Sequence, residues 1–201
     1  NIAPEDLYKN GLQRDRFLPA IDLIQQFTTI FELENNTDYR MTLLEQEGTY
    51  HVCVPHESSA IMEHHLEKMS NTSIGYNTCI SINQRDIRCK ALSENQIWFD
   101  FPEICQTPRS SADYVILARE YQTMLISNMP VMDDGQNDIV QRLIQLIDAL
   151  YDHKVKLVTT ALGKPEELYT GKGLAFPFQR TASRLHEMQS EAYLSQAHIA
   201  E

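Results

Sequence analysis

Residues 123–160 read T-M-L-I-S-N-M-P-V-M-D-D-G-Q-N-D-I-V-Q-R-L-I-Q-L-I-D-A-L-Y-D-H-K-V-K-L-V-T-T. The apolar runs at 123–127 and 155–160 are typical of buried strands. Residues 138–151 carry apolar side chains at a spacing of three and four, namely Ile139, Leu143, Leu146, Ile147 and Leu150. This spacing indicates an amphipathic helix. A strand, a helix and a strand in under 40 residues predict a parallel βαβ unit.

The sequence divides into three parts that differ in their pattern of predicted helices and strands. Residues 1–69 alternate helical and strand-like stretches, 70–109 are β-rich, and 110–201 hold the βαβ unit. Helices are predicted at 4–6, 17–26, 37–46, 57–69, 112–121 and 181–197. Strands are predicted at 27–33, 50–54, 78–82, 86–89 and 96–101. We therefore expect a mixed α/β fold in which 70–109 form a small antiparallel insertion.

The charge balance excludes some classes of partner. The chain has 201 residues, with 17 Lys and Arg against 28 Asp and Glu, for a net charge of -11. This surface would repel a phosphate backbone, so we expect no nucleic-acid partner. No apolar run approaches the roughly 20 residues that cross a bilayer, so we expect no integral membrane segment.

The first residues and the cysteines bear on the compartment. The N-terminus lacks the apolar stretch of a signal peptide. Cys53, Cys79, Cys89 and Cys105 form no C-x-x-C pair. We expect reduced thiols in the core or in strands, and a cytoplasmic protein.

Several catalytic motifs are missing from the sequence. It contains no phosphate-binding G-x-x-x-x-G-K-[ST] loop, no G-x-S-x-G and no H-E-x-x-H. None of its glycines forms the full G-x-G-x-x-G pattern of a dinucleotide site. The chain alone therefore offers no recognisable nucleotide or hydrolase site.

Two acidic or histidine-bearing segments could be mistaken for metal sites. His56, His64 and His65 lie near acidic residues, but His64 and His65 point about 100° apart on a helix. We interpret this segment as a solvated helix face and expect no metal. Asp133 and Asp134 follow a strand, where carboxylates can hold magnesium. Followed by Gly135, they more simply predict a turn and a helix start.

Four arginines are candidate functional residues. Arg14 and Arg16 follow the turn signal Asn10-Gly11. Arginine suits a phosphate presented by a neighbouring subunit, although a surface salt bridge is the simpler interpretation of an isolated pair. Arg180 and Arg184, four residues apart, share one face at the start of the predicted last helix, and as an isolated pair they are more simply interpreted as surface charge.

A short internal repeat links the two ends of the chain. P-E-D-L-Y at 4–8 resembles P-E-E-L-Y at 165–169. The second copy follows a predicted strand, so by analogy the first should follow a strand upstream of Asn1. We therefore expect the chain to be the C-terminal part of a longer protein.

Longer motifs resemble one family. N-I-A-P-E-D-L-Y-K-N-G-L-Q-R-D-R-F-L-P-A-I at 1–21 is similar to the stretch after the sensor-1 strand of the ZapE family, AAA+ ATPases of cell division with AFG-like relatives. L-I-D-A-L-Y-D-H-K-V-K-L-V at 146–158 and R-T-A-S-R-L-H-E-M-Q-S-E-A-Y-L at 180–194 also resemble family segments. The resemblance spans nearly the whole chain and is looser at 34–108.

The resemblance implies roles for particular residues. The phosphate loop and the acids that hold Mg²⁺ would lie upstream, so ATP and Mg²⁺ would bind mainly there. Asn1 matches the sensor-1 asparagine, and Arg14 matches a candidate arginine finger that reaches the ATP of the adjacent subunit. Arg16 is the reserve, and Arg180 and Arg184 are candidates for a sensor-2-like contact in cis.

The resemblance also implies a function. We expect the C-terminal part of a P-loop NTPase fold whose intact form hydrolyses ATP as a homo-oligomeric ring and remodels a partner, FtsZ. The chain alone should be inactive. The alternative is a module that recognises a protein through the β-rich part, around Trp98, and an acidic surface, without using ATP.

Overall fold

The structure, a computed structural model, describes residues 18–27 and 39–200. The helices are α1 (Leu18–Phe27), α2 (Tyr39–Glu47), α3 (Pro55–Met69), α4 (Ser111–Glu120), α5 (Asn137–Asp152), α6 (Ala175–Glu187) and α7 (Glu191–Leu194). The strands are β1 (Tyr50–Val52), β2 (Gly75–Ile82), β3 (Arg85–Leu92), β4 (Gln96–Asp100), β5 (Thr123–Met129) and β6 (Lys156–Ala161). The chain divides into two units, Asn1–Asn36 and Thr37–Glu201, and α1 is the described part of the first.

All six described strands form one sheet in the order β1-β6-β5-β4-β3-β2. β1, β6, β5 and β4 run parallel, whereas β3 and β2 join antiparallel. The predicted βαβ unit is confirmed, because β5 and β6 pair in parallel with Thr123 opposite Lys156, and α5 connects them. The mixed α/β class is likewise confirmed and is consistent with a P-loop NTPase-like fold.

Helices cover the sheet on both faces, which explains why β5 and β6 are almost continuously buried. On one face, α4, α5 and α6 pack with residues such as Leu117, Leu143 and Leu185. On the other face, α2, α3 and α7 contribute Leu44, Leu66 and others. No helix among the described residues is long and apolar enough to span a bilayer.

The β-rich segment continues the main sheet. β2 and β3 form a hairpin whose turn residues Asn83 and Gln84 have φ of 50° and 62°. Consecutive left-handed residues match the twist of paired strands, so the predicted turn is confirmed. β4 then pairs antiparallel with β3 and parallel with β5. The boundaries proposed at 69/70 and 109/110 stay a prediction.

Two predicted elements end differently in the structure. The single helix predicted at 181–197 is wrong: α6 begins at Ala175, since Pro177 is tolerated in a first turn, and ends at Glu187. Ser190 then caps the separate helix α7, its side chain accepting from the amide of Tyr193. Phe27, predicted to begin a strand, is the last residue of α1. The other residues of that strand, and the helix predicted at 4–6, lie outside the described residues.

Candidate functional site

The described part of the chain contains two of the five predicted site residues. Arg180 and Arg184 lie on α6 and are brought together as the four-residue spacing predicts. Asn1, Arg14 and Arg16 lie outside the described residues, so their roles stay predictions.

Arg180 and Arg184 share one carboxylate. Arg180 Nη2 lies 2.6 Å from Asp148 Oδ2 on α5, and Arg184 Nη1 binds the other oxygen of Asp148. The Arg180 side chain is 60% exposed, whereas that of Arg184 is 20% exposed. The Arg184 guanidinium also lies 4.7 Å from the centre of the Tyr151 ring. Arg184 thus contacts these residues of α5 and helps to pack α6 on α5. Arg180 is the more accessible of the two cations.

A loop after β6 is fixed to the start of α5 by one aspartate. The Asp134 carboxylate accepts the amides of Lys172 and Gly173, at 2.9 and 2.8 Å. It also accepts the hydroxyl of Tyr169 at 2.7 Å. That hydroxyl in turn accepts the amide of Leu174 at 3.1 Å. The predicted turn at 133–135 is confirmed, with the Asp133 side chain accepting from the Gly135 amide.

This arrangement has consequences for charge and sequence. The Lys172 amide, the Tyr169 hydroxyl and the Gly173 amide together lower the pKa of Asp134 to about 2. A Cβ at Gly171 would overlap the Tyr169 hydroxyl, so the loop requires glycine there. We call residues 169–174 the Asp134 loop.

Replacing Asp134 with Ala should release this loop. We expect the amides of Lys172 and Gly173 to exchange hydrogen about tenfold faster or more, since both lose a charged acceptor. Asp133→Ala is the matched control, because the bond that the Asp133 side chain makes among the described residues is to the nearby Gly135 amide. In the unmodified protein, the ionised Asp134 carboxylate stabilises the loop fully at pH values above the ordinary aspartate pKa of about 3.9. This stabilisation is lost as the pH falls through about 2. Equal exchange in the two variants would contradict this role.

Polar residues also meet where the parallel strands end, which is where α/β sheets commonly bind ligands. Asp100 accepts the Ser127 hydroxyl at 2.8 Å and the Asn128 side-chain amide at 2.7 Å. The Asn128 backbone amide donates to Thr160, whose hydroxyl lies 2.6 Å from that of Ser58. Sequence reasoning missed this cluster, although Ser-Asn after an apolar run is a visible signal. The polar groups of this cluster bind one another, so the cluster holds the ends of β4, β5 and β6 together.

The prediction that the histidine-bearing segment is a solvated helix face is wrong for His65. His64 binds Glu47 at the surface, but His65 is 1% exposed and is not on a solvated face. Its Nε2 lies 3.0 Å from Nε2 of His51. Burial, with a smaller effect of His51, lowers the pKa of His65 to about 4. Among the described residues, no group of three or more His, Cys, Asp or Glu side chains could hold a metal ion.

The predicted binding surface around Trp98 also needs correction. Trp98 is 2% exposed and donates to the Ser127 hydroxyl at 3.0 Å, so it belongs to the core. A depression of about 370 Å³ does exist nearby, lined by residues that include Cys79, Arg88 and Lys90. Because the indole is buried, a partner of the β-rich part would not contact it directly.

Comparisons with known proteins identify relatives along the whole chain. The family model described as AFG1-like ATPase matches residues 1–197. "Cell division protein ZapE" of Escherichia coli K12 is 36% identical over 200 residues, which are 100% of this chain and 53% of that protein. "Lactation elevated protein 1 homolog B" of Danio rerio is 28% identical over a match that covers 96% of this chain and 45% of that protein.

The chain spans about half the length of these curated relatives. No solved structure matches it. The match of the family model and the identity to ZapE agree with the resemblance of the end motifs. The chain belongs to the family of AFG1-like ATPases.

Proposed function

We propose that the intact protein is an AAA+ ATPase that hydrolyses ATP with Mg²⁺ at the boundaries between subunits of a homo-oligomeric ring. The observation that carries this proposal is the family match over residues 1–197. The phosphate loop and the Mg²⁺-holding acids would be supplied by sequence outside this chain. Residues 1–201 alone should therefore show no ATP hydrolysis.

The proposed composite site assigns distinct tasks. Asn1 would orient the attacking water, and Arg14 would neutralise charge on the transferred phosphoryl group of the adjacent subunit. Arg16 is the reserve for Arg14. Arg180 is the better of the two candidates for a contact with ATP in cis, because it is more exposed than Arg184.

We propose the FtsZ division ring as the partner to be remodelled. The support is that a relative 36% identical to this chain bears the name "Cell division protein ZapE". Such a partner would place the protein in the cytoplasm.

The test is FtsZ polymerisation with the full-length protein, followed by light scattering and sedimentation. We expect the length or bundling of FtsZ filaments to change with ATP and not with a slowly hydrolysed analogue, because remodelling needs turnover. A bovine serum albumin control accounts for crowding. An identical effect with ATP and the analogue would contradict remodelling.

The alternative function is a module that recognises a partner through the β-rich part and an acidic surface without using ATP, and the depression lined by Arg88 and Lys90 is a surface of the β-rich part that such a partner would contact. On that view, replacing both residues with Ala abolishes partner binding, and turnover plays no part. Retained binding by the double variant would remove this alternative.

A further inference from the structure

Two histidines from different elements meet beside the sheet. His51 lies on β1, the three-residue strand at one end of the strand order, and His65 lies on α3. Their Nε2 atoms are 3.0 Å apart and their ring centres are 5.0 Å apart. His65 is buried, whereas His51 is partly buried. The contact therefore joins an end strand of the described sheet to the helix that packs over β5 and β6.

The contact between the two Nε2 atoms contains one proton, because one imidazole must donate and the other must accept. A hydrogen bond to the Gly48 backbone favours the charged form of His51, so the Gly48 carbonyl accepts an N–H of that ring. Since Nε2 of His51 faces His65, this N–H is on Nδ1. We therefore assign Nε2 of His51 as the acceptor and Nε2 of His65 as the donor of the bond between the rings.

This assignment leaves no place for a further proton. Nδ1 of His65 is buried and has no hydrogen-bond partner in the described part of the chain. A proton on that atom would bury an N–H donor without an acceptor. A proton on Nε2 of His51 would instead set two N–H groups against each other across 3.0 Å. In either case the pair also gains a positive charge away from water, which is costly.

The neighbouring charged groups offset this cost only in part. Glu47 of α2 favours the charged forms of both histidines, but it is hydrogen-bonded to His64 of α3. His64 opposes charge on His65, and Lys68 of α3 also acts on Glu47. On β6, the residue opposite His51 is the uncharged Thr160. Burial has the largest effect and lowers the pKa of His65 to about 4.

We propose that the His51–His65 contact is a pH-sensitive switch, which holds β1 to α3 while the pair is neutral and releases them when the pair takes up a further proton. Release should loosen β1, which has only three residues in its pairing with β6. It should also loosen α3, whose Met62 and Leu66 are fully buried on this face of the sheet. The switch goes beyond the proposed function and does not depend on ATP hydrolysis.

The test is amide hydrogen exchange in the full-length protein, with each rate corrected for the intrinsic effect of pH. The reporter is the Cys53 amide, which donates to the Ala161 carbonyl at 3.1 Å just after β1. The folded pKa of His65 is about 4 and the ordinary value is about 6.5, so the contact stabilises fully above about pH 6.5 and weakens as the pH falls towards 4. The protection of Cys53 should therefore fall about 20-fold from about pH 7 to about pH 5.

Two variants make this result specific to the pair. His65→Gln keeps an N–H donor in the side chain but does not titrate, so the protection of Cys53 should change by less than about threefold over the same range. His56→Gln, at the exposed start of α3, is the matched control and should keep the fall of the unmodified protein. An equal fall in His65→Gln and the unmodified protein, or loss of the fall in His56→Gln, overturns the switch.

Nitrogen-15 NMR of the imidazole rings tests the proton assignment without any substitution, and so stands even if His65→Gln does not fold. At about pH 7 we expect His51 to carry its proton on Nδ1 and His65 on Nε2. Both rings should take up a further proton only below the ordinary histidine pKa of about 6.5. A His65 ring that is protonated on Nδ1 at about pH 7, or charged at about pH 6, overturns the inference.

Discussion

Arg14→Ala in the full-length protein should lower ATP turnover by about 10³- to 10⁵-fold, the range of known arginine fingers. The finger contributes only when charge develops on the phosphoryl group, so nucleotide affinity should change little. The measurement is steady-state hydrolysis beside equilibrium binding of a fluorescent ATP analogue. Unchanged turnover would remove Arg14 from the chemistry.

Two further variants make this result specific. Arg14→Lys should recover little activity, because an ammonium lacks the planar fork that engages phosphate oxygens. Arg16→Ala, two residues away, should keep most of the turnover if Arg14 is the finger. The reverse pattern would transfer the role to Arg16.

Asp113→Ala should cause a large loss of stability. Asp113 is 1% exposed at the start of α4. It accepts Arg85 Nη2 at 2.8 and 3.0 Å, Asn83 Nδ2 at 2.7 Å and the Ser110 amide at 2.8 Å. These bonds fasten the turn of the β2–β3 hairpin to α4. Their loss should cost about 2–4 kcal/mol, because Arg85 is half exposed and part of its pairing is screened.

Urea unfolding measures this change as a shift of the midpoint at constant slope. The melting temperature should fall by about 5–15 °C. Asp86→Ala, an exposed carboxylate on the same hairpin, is the control and should change stability by less than about 0.5 kcal/mol. Equal midpoints for the two variants would contradict the role of Asp113.

The same carboxylate should make stability depend on pH. Burial acts to raise the pKa of Asp113, but the Ser110 and Asn83 hydrogen bonds and the Arg85 charge outweigh it and lower the pKa. The stabilisation is therefore full above the unfolded pKa of about 3.9 and is lost as the pH falls through the lower folded value. The difference between the unmodified protein and Asp113→Ala should shrink in acid.

Local patterns were enough to predict the centre of the fold. The spacing of Leu143, Leu146 and Leu150 predicted α5, and apolar runs predicted β5 and β6, because each pattern reports burial directly. Asn83-Gln84 predicted the hairpin turn. These signals lie within a few residues of the elements that they specify.

Polar side chains with distant partners could not be predicted in this way. Lys156 begins β6, but it is 8% exposed and its Nζ donates to the carbonyls of Tyr193 and Gln196, 37 and 40 residues away. Asp134 binds amides 38 and 39 residues away. His65 was misassigned because a helix pattern of mixed polarity does not show which polar residue faces the sheet. For the candidate site, the four-residue spacing of Arg180 and Arg184 predicted that the two side chains lie together. The spacing did not indicate that both would bind Asp148.

A mixing experiment tests most directly whether the active site is shared between subunits. One full-length variant carries Arg14→Ala, and the other carries an inactivating change in its phosphate loop but keeps Arg14. Each variant alone should be inactive. Mixed in equal amounts, they should recover part of the unmodified turnover, because some boundaries then combine an intact phosphate loop with an intact Arg14. No recovery, in mixtures shown by sedimentation to co-assemble, would contradict a site to which Arg14 contributes across the subunit boundary.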